Sequence, residues 1–218
     1  MTLTWLEERI ARAHECRGIC ISTIVLRMMI GFAFIPAGLK KLLGQPFTDP
    51  ANTGVFHEFL HAFHATGRFY QFVGVLQLTA AVLLITQRHA TLGAALAAPI
   101  LVAIFVFCWS TGVVPTAIVV TLMSLGLLAL ILWDIQRWKA LLGTTAPAPP
   151  TAHPVVNMRL WSRCGWLILL LYFVNTAITG QVYRPMGVEW SNPSFIVLLI
   201  IAVLPVVTFV LDSPPAKD

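Results

Sequence analysis

The chain has 218 residues, enough for one ordinary domain, but 58% of them are hydrophobic and only 11% charged, against about a quarter charged in a soluble domain. With a mean hydropathy of +0.83, this composition excludes a soluble enzyme, a disordered chain, a fibrous repeat and a disulfide-stapled secreted module. The formal charge of +5 implies no nucleic-acid partner, because the basic residues fall in loops suited to anionic headgroups.

The apolar residues gather into runs of about 20, the length of helix that crosses about 30 Å of hydrocarbon. They place six spans at 21–39, 69–86, 91–109, 116–133, 164–183 and 194–211. Closed strands would need alternation over about ten residues, and the run 100–107 shows none. The expected fold is therefore an all-α integral membrane protein: a four-helix transmembrane bundle at 21–142, a Pro-rich linker at 143–157, and a two-helix extension with a short tail at 158–218. Residues 1–20 read as a cytoplasmic lead-in without a signal-peptide cleavage site, so the first span is expected to remain. Cys16 and Cys20, four apart on a helix, are too far apart for an easy disulfide and read as thiols.

Among 14 basic and 9 acidic residues, only Arg27 falls inside a span. A guanidinium there costs at least a few kcal/mol unless it is paired or hydrated, so it should face the bundle interior. Counting about 1.5 Å per residue puts Arg27 about 9 Å and Gln77 about 13 Å below the same surface, close enough to meet across the first two spans. Asp134, closing the fourth span, is the acid Arg27 can approach by snorkelling. Two readings stand for Arg27, Gln77 and Asp134: a helix clamp, or the polar end of a pocket for a ligand such as a quinone.

The first outer loop, 42–68, contains an amphipathic surface helix, capped at Asn52 or Thr53 and stopped at Gly67. Its apolar side carries Val55, Phe56, Phe59, Leu60 and Phe63. His57, His61 and His64 share another face. His57, Glu58 and His61 spell the H-E-x-x-H of zinc proteases, in which two imidazoles bind the metal and the carboxylate is the general base. No span supplies the further acidic ligand, so a solvated polar face is the competing reading.

In the fifth span Asn175 and Gln181, with Tyr172 and Tyr183, suggest a second polar track. Pro36, Pro99 and Pro205 should kink their helices. For orientation, Arg9, Arg12, Arg17, Arg88, Arg137, Lys139, Arg159, Arg163 and Lys217 fall on one side; Lys40, Lys41, Arg68 and Arg184 fall on the other. This asymmetry puts both termini in the cytoplasm.

The first span reads Arg27, Gly31, Phe34, Gly38, Lys41, an order and spacing that resembles the DoxX-like family of small four-helix membrane proteins. The resemblance continues through Gly67, Phe72, Gly74 and Gln77, the GAALAAP opening of the third span, and Leu132, Trp133, Asp134 and Arg137 closing the fourth. It implies a four-helix bundle with both ends in the cytoplasm, and a subunit or accessory of a quinone-linked redox system related to thiosulfate or thiols. Partners implied are the bilayer, quinone, other redox subunits or further copies of the chain. Gln77 stands where many members have Glu, and the C-terminal extension and the histidine stripe fall outside the family pattern. A transporter or an assembly scaffold is the contrasting class, and a metalloenzyme built on His57, Glu58 and His61 the remote one.

Overall fold

The computed structural model describes residues 2–141, 143, 155–183 and 188–212. Most of the Pro-rich linker, the tail, Arg184 and Lys217 lie outside them. Among the described residues every regular element is a helix: α1 (Thr2–Glu15), α2 (Arg17–Leu42), α3 (Val55–Ala65), α4 (Arg68–Ile85), α5 (Ala90–Ser110), α6 (Val114–Trp133), α7 (Ile135–Leu141), α8 (Met158–Thr179) and α9 (Pro193–Leu211). Helices α2, α4, α5, α6, α8 and α9 are long and apolar enough to cross a membrane. These are the six expected spans, and the chain is an all-α, multi-pass membrane protein.

The surface has the character that hydrocarbon selects. Leu122 on α6 is 65% exposed and Val210 on α9 64%, positions that would be costly in water and are natural against lipid. Apolar burial thus cannot hold these helices together, since lipid tails are as apolar as leucine, and close backbone approach through small residues takes its place. A Cβ on Gly31 would lie 2.7 Å from Ile85 and 3.1 Å from the Ala81 carbonyl oxygen, and one on Gly74 would lie 2.8 Å from the Gly38 carbonyl oxygen. These contacts lock α2 and α4 antiparallel along their length. Helix α5 packs between α4 and α6, and α6 returns to α2, which closes the four-helix unit.

The C-terminal pair is fastened to that unit rather than tethered beside it. Gly165 of α8 sits so close to the end of α4 that an added Cβ would collide with the Ile85 carbonyl oxygen. Asp212, just after α9, accepts hydrogen bonds from the Asn157 amide at 3.0 Å and the Trp161 indole at 3.2 Å, and its carbonyl accepts one from Arg17 at 2.7 Å. One residue therefore ties α8, α9 and the start of α2.

The fifth span departs most from expectation. Helix α8 starts at Met158 because the Asn157 side chain accepts from the Leu160 amide at 3.3 Å, the usual N-cap arrangement. It stops at Thr179 because Gly180 takes a left-handed conformation, φ +68°, which ends helices at low cost only for glycine. Gln181 and Tyr183 therefore lie beyond the helix, and the expected polar track within it does not form. Asn175 instead accepts from the Ser194 hydroxyl of α9 at 3.2 Å, and the Tyr172 hydroxyl donates to the Tyr183 carbonyl, also at 3.2 Å.

Close packing at these glycines makes a graded prediction. Gly74→Ala and Gly165→Ala should each lower stability by about 1 to 3 kcal/mol, the cost of overpacking, while Gly18→Ala, with nothing within 4 Å of the new carbon, should not. Thermal unfolding of the detergent-solubilised variants measures all three.

Candidate functional site

The register of α2 against α4 decides what Arg27 can touch. Gly31 lies level with Ala81 and Ile85, and Gly38 with Gly74 and Leu78. Because the helices run antiparallel, Arg27 falls opposite Gln87, just past the end of α4, and Gln77 falls opposite the Ala37 level, about 15 Å away along the bundle. The expected meeting of Arg27 and Gln77 is corrected accordingly. Depth below a span end does not fix the register of α2 against α4, which the glycines set. Gln77 is 1% exposed, and its Oε1 has no hydrogen-bond partner among the described residues.

Asp134, the C-cap of α6, does meet Arg27. The guanidinium Nη2 donates to the Asp134 carboxylate at 3.0 Å, and each residue is 5% exposed. Nη1 points to the Gln87 Oε1 at 3.4 Å. The Thr91 hydroxyl of α5 donates to the same carboxylate oxygen at 3.0 Å, and Arg137 of α7 reaches the other oxygen at 3.3 Å from the exposed rim. The buried charges are thus paired and hydrogen-bonded, the condition under which such a pair is tolerated. Four transmembrane segments and α7 converge on it.

Gln87 has no counterpart in the sequence reading. It is buried and holds a positive φ of 61°, the only described non-glycine residue to do so. That conformation costs a side chain about 1 kcal/mol or more. Its amide nitrogen is 3.0 Å from the Leu84 carbonyl oxygen, ending α4, while its Oε1 faces Arg27. The signal available was the glycine pairing of α2 with α4, which sets the register. A polar turn between two spans is by itself unremarkable.

The five residues Arg27, Gly31, Phe34, Gly38 and Lys41 occupy successive steps of four and three, a helical seam. All five are buried. The glycines admit α4, and the two cations mark the ends. At the far end the Lys41 ammonium donates to the Ala37 carbonyl at 3.2 Å and lies 4.5 Å from the Phe47 ring centre.

The histidine stripe is spent on structure. His57 Nδ1 lies 2.6 Å from the Thr48 hydroxyl, His61 Nε2 lies 3.2 Å from the Asn52 carbonyl oxygen, and His64 Nε2 lies 2.9 Å from that of Gly44. The face expected to be solvated binds loop 43–54 instead. The helix N-cap is Gly54, with no side-chain bond, rather than Asn52 or Thr53. Phe56 stacks on Phe107 of α5 at 5.2 Å between ring centres and Phe59 lies tilted against it at 4.5 Å, so α3 closes over the end of the bundle remote from Arg27. Among the described residues no three His, Cys, Asp or Glu side chains gather to hold a metal ion, and all four cysteines are free thiols.

An apolar groove of about 680 Å³ runs between α2, α8 and α9, walled by Val25, Met29, Phe32, Ile168, Ile201 and Phe209 among others. Neither Arg27 nor Gln77 lines it. Separately, α1 docks beneath the Arg27 cluster: His14 Nε2 is 3.4 Å from the Trp133 carbonyl oxygen, and the two rings lie 3.9 Å apart. Partial burial there holds the His14 imidazole below its usual range, against the opposing pull of that hydrogen bond and of Asp134.

Six apolar helices clamped by a buried ion pair define a helical integral membrane protein. Residues 22–109 match the DoxX family model, so that segment is similar to DoxX proteins. The match ends within α5, before the helix that supplies Asp134. Comparison with curated proteins gives no match, and comparison with solved structures gives none.

Arg27→Gln and Asp134→Asn should each cost about 3 to 5 kcal/mol, because each strands a buried charge. The double variant Arg27→Met/Asp134→Leu should recover most of that loss. Unfolding measurements that gave additive losses would refute the pairing. For His14 the folded state favours the neutral ring, so α1 docking should be complete above about pH 6.5 and weaken as the pH falls below it. Hydrogen exchange of 2–15 at pH 7.5 and 5.5 should show this acid loosening, and His14→Gln should abolish the dependence.

Proposed function

We propose that the chain is an inner-membrane accessory subunit of a quinone-linked redox system, with both termini in the cytoplasm, in which Arg27 and Asp134 clamp the bundle and the groove between α2, α8 and α9 seats an isoprenoid tail. The observation that carries this reading is the groove itself. Its lining residues are all apolar or aromatic, so it suits a hydrocarbon chain and offers nothing to a polar solute. That disfavours a transporter of hydrophilic substrates. The clamp reading gains support from Arg27 being turned to Asp134 and Gln87 and away from the groove. A thiol or thiosulfate connection rests on the family likeness alone.

The metalloenzyme reading has less support, because His57, His61 and His64 each hold a loop contact through one ring nitrogen and no set of three ligand side chains gathers among the described residues. The scaffold reading keeps one specific observation in its favour. The exposed apolar faces of α6 and α9 suit another membrane subunit or a second copy as well as they suit lipid.

Mass spectrometry of the purified protein tests the choice. Quinone enriched over its proportion in the membrane extract, and lost in Ala202→Trp, which fills the groove, is the result expected. Quinone at bulk proportion, with a stoichiometric protein partner, would instead establish the scaffold.

A further inference from the structure

On the side of α8 away from the groove, a second cavity of about 380 Å³ lies where α8 begins beside the α4–α5 turn. Its floor is Thr86 and Gln87, both buried, and its rim is Arg88, Arg159 and Arg163, all exposed, with Ser162 between them. The ion pairs formed among the described residues involve Arg17, Arg27 and Arg137 with Asp212 and Asp134. Arg88, Arg159 and Arg163 have no acidic partner among them. Three guanidiniums that line one cavity without an ion-pair partner repel one another unless an anion joins them, and Arg offers the forked donors that suit phosphate.

The surface below the cavity selects the anion's source. At 100° per residue, Arg159, Arg163, Trp166, Leu170 and Val174 fall within one narrow arc of α8. Trp166, Leu170 and Val174 are 57%, 59% and 45% exposed. From Arg163 to Val174 the stripe runs about 16 Å, the depth of one leaflet's hydrocarbon. A free anion would have no use for this stripe, whereas an acyl chain would cover it.

We propose that this cavity binds the headgroup of an anionic phospholipid of the cytoplasmic leaflet, with Arg88, Arg159 and Arg163 on the phosphate and the acyl chain along the outer face of α8. Basic pockets between helices on that side of a membrane are where anionic headgroups concentrate. The first turn of α8 adds the partial positive charge of a helix N-terminus. Because Gln87 is both the cavity floor and the partner of Arg27, the lipid sits against the turn that orients the buried guanidinium. The leaflet rests on the orientation proposed above, but the lipid site is independent of quinone and stands or falls separately.

The test is native mass spectrometry of the full chain in mild detergent, titrated with phosphatidylglycerol and with phosphatidylcholine of the same chains. Preferential retention of phosphatidylglycerol is expected. Arg159→Gln/Arg163→Gln should weaken it about thirtyfold and leave phosphatidylcholine unchanged. The corresponding lysine pair should retain most of the affinity, and Arg68→Gln at the opposite end should retain all of it. Should the glutamine pair fail to fold, Ser162→Glu places a like charge in the cavity and should weaken phosphatidylglycerol about tenfold. Equal affinity for the two lipids, no effect of these variants, or displacement of the lipid by millimolar inorganic phosphate would each overturn the proposal.

Discussion

A charge in hydrocarbon must be answered by another charge, and the Arg27–Asp134 pair organises this molecule around that requirement. Arg27 lies within the apolar length of α2, and Asp134 is the C-cap of α6, so α2 and α6 are held in mutual register at one end of the bundle. The rest of the cluster answers most of the other donors and acceptors, although Arg27 Nε keeps no hydrogen-bond partner among the described residues. Thr91 supplies a hydroxyl from the first turn of α5, Arg137 covers the outer carboxylate oxygen, and Gln87 accepts from the second guanidinium nitrogen. A strained backbone at Gln87 is tolerated because the same side chain also ends α4. Helix α1 then lies over the cluster through His14 and Trp133.

The glycine seam explains how so few polar groups suffice. Between Arg27 and Lys41 the buried side of α2 is occupied by small or apolar residues, and the backbones of α2 and α4 come close enough for dispersion to act over their length. The same device recurs at Gly93, where α5 meets the end of α4, and at Gly165, where α8 does. Asp212 then closes the C-terminal pair onto α2 at the bundle's charged end. Since both fastenings lie near that end, α8 and α9 stand against α2 with a gap between them, and the apolar groove is that gap.

Composition and run length made the architecture legible, because six stretches of sufficient hydropathy leave a helical chain few alternatives. Charge rarity singled out Arg27, and acid rarity singled out Asp134. What the sequence concealed was register. Gln77 and Gln87 are equally polar, and only the offset imposed by Gly31, Gly38 and Gly74 decides that the second meets Arg27. The histidine stripe misled for a related reason. Periodicity reports that His57, His61 and His64 share a face, but loop 43–54, which has no periodicity of its own, determines that the face is covered. The apolar run of the fifth span has no sharp edge between Thr179 and Tyr183, so only the left-handed backbone at Gly180 marks where α8 ends.

The partners in the central ion pair are 107 residues apart in the chain. At a synthesis rate of about 5 to 20 residues per second, α2 emerges from the ribosome roughly 5 to 20 s before Asp134 exists to receive its charge. During that interval Arg27 must wait near the interface, snorkelled towards water, or shielded by the insertion machinery. Gly31 and Gly38 can engage α4 much earlier, so a hairpin of α2 and α4 forms first with its charged end unfinished. The buried pair can then close only once α6 has arrived, so a chain that stops short of α6 leaves Arg27 without the carboxylate that answers its charge.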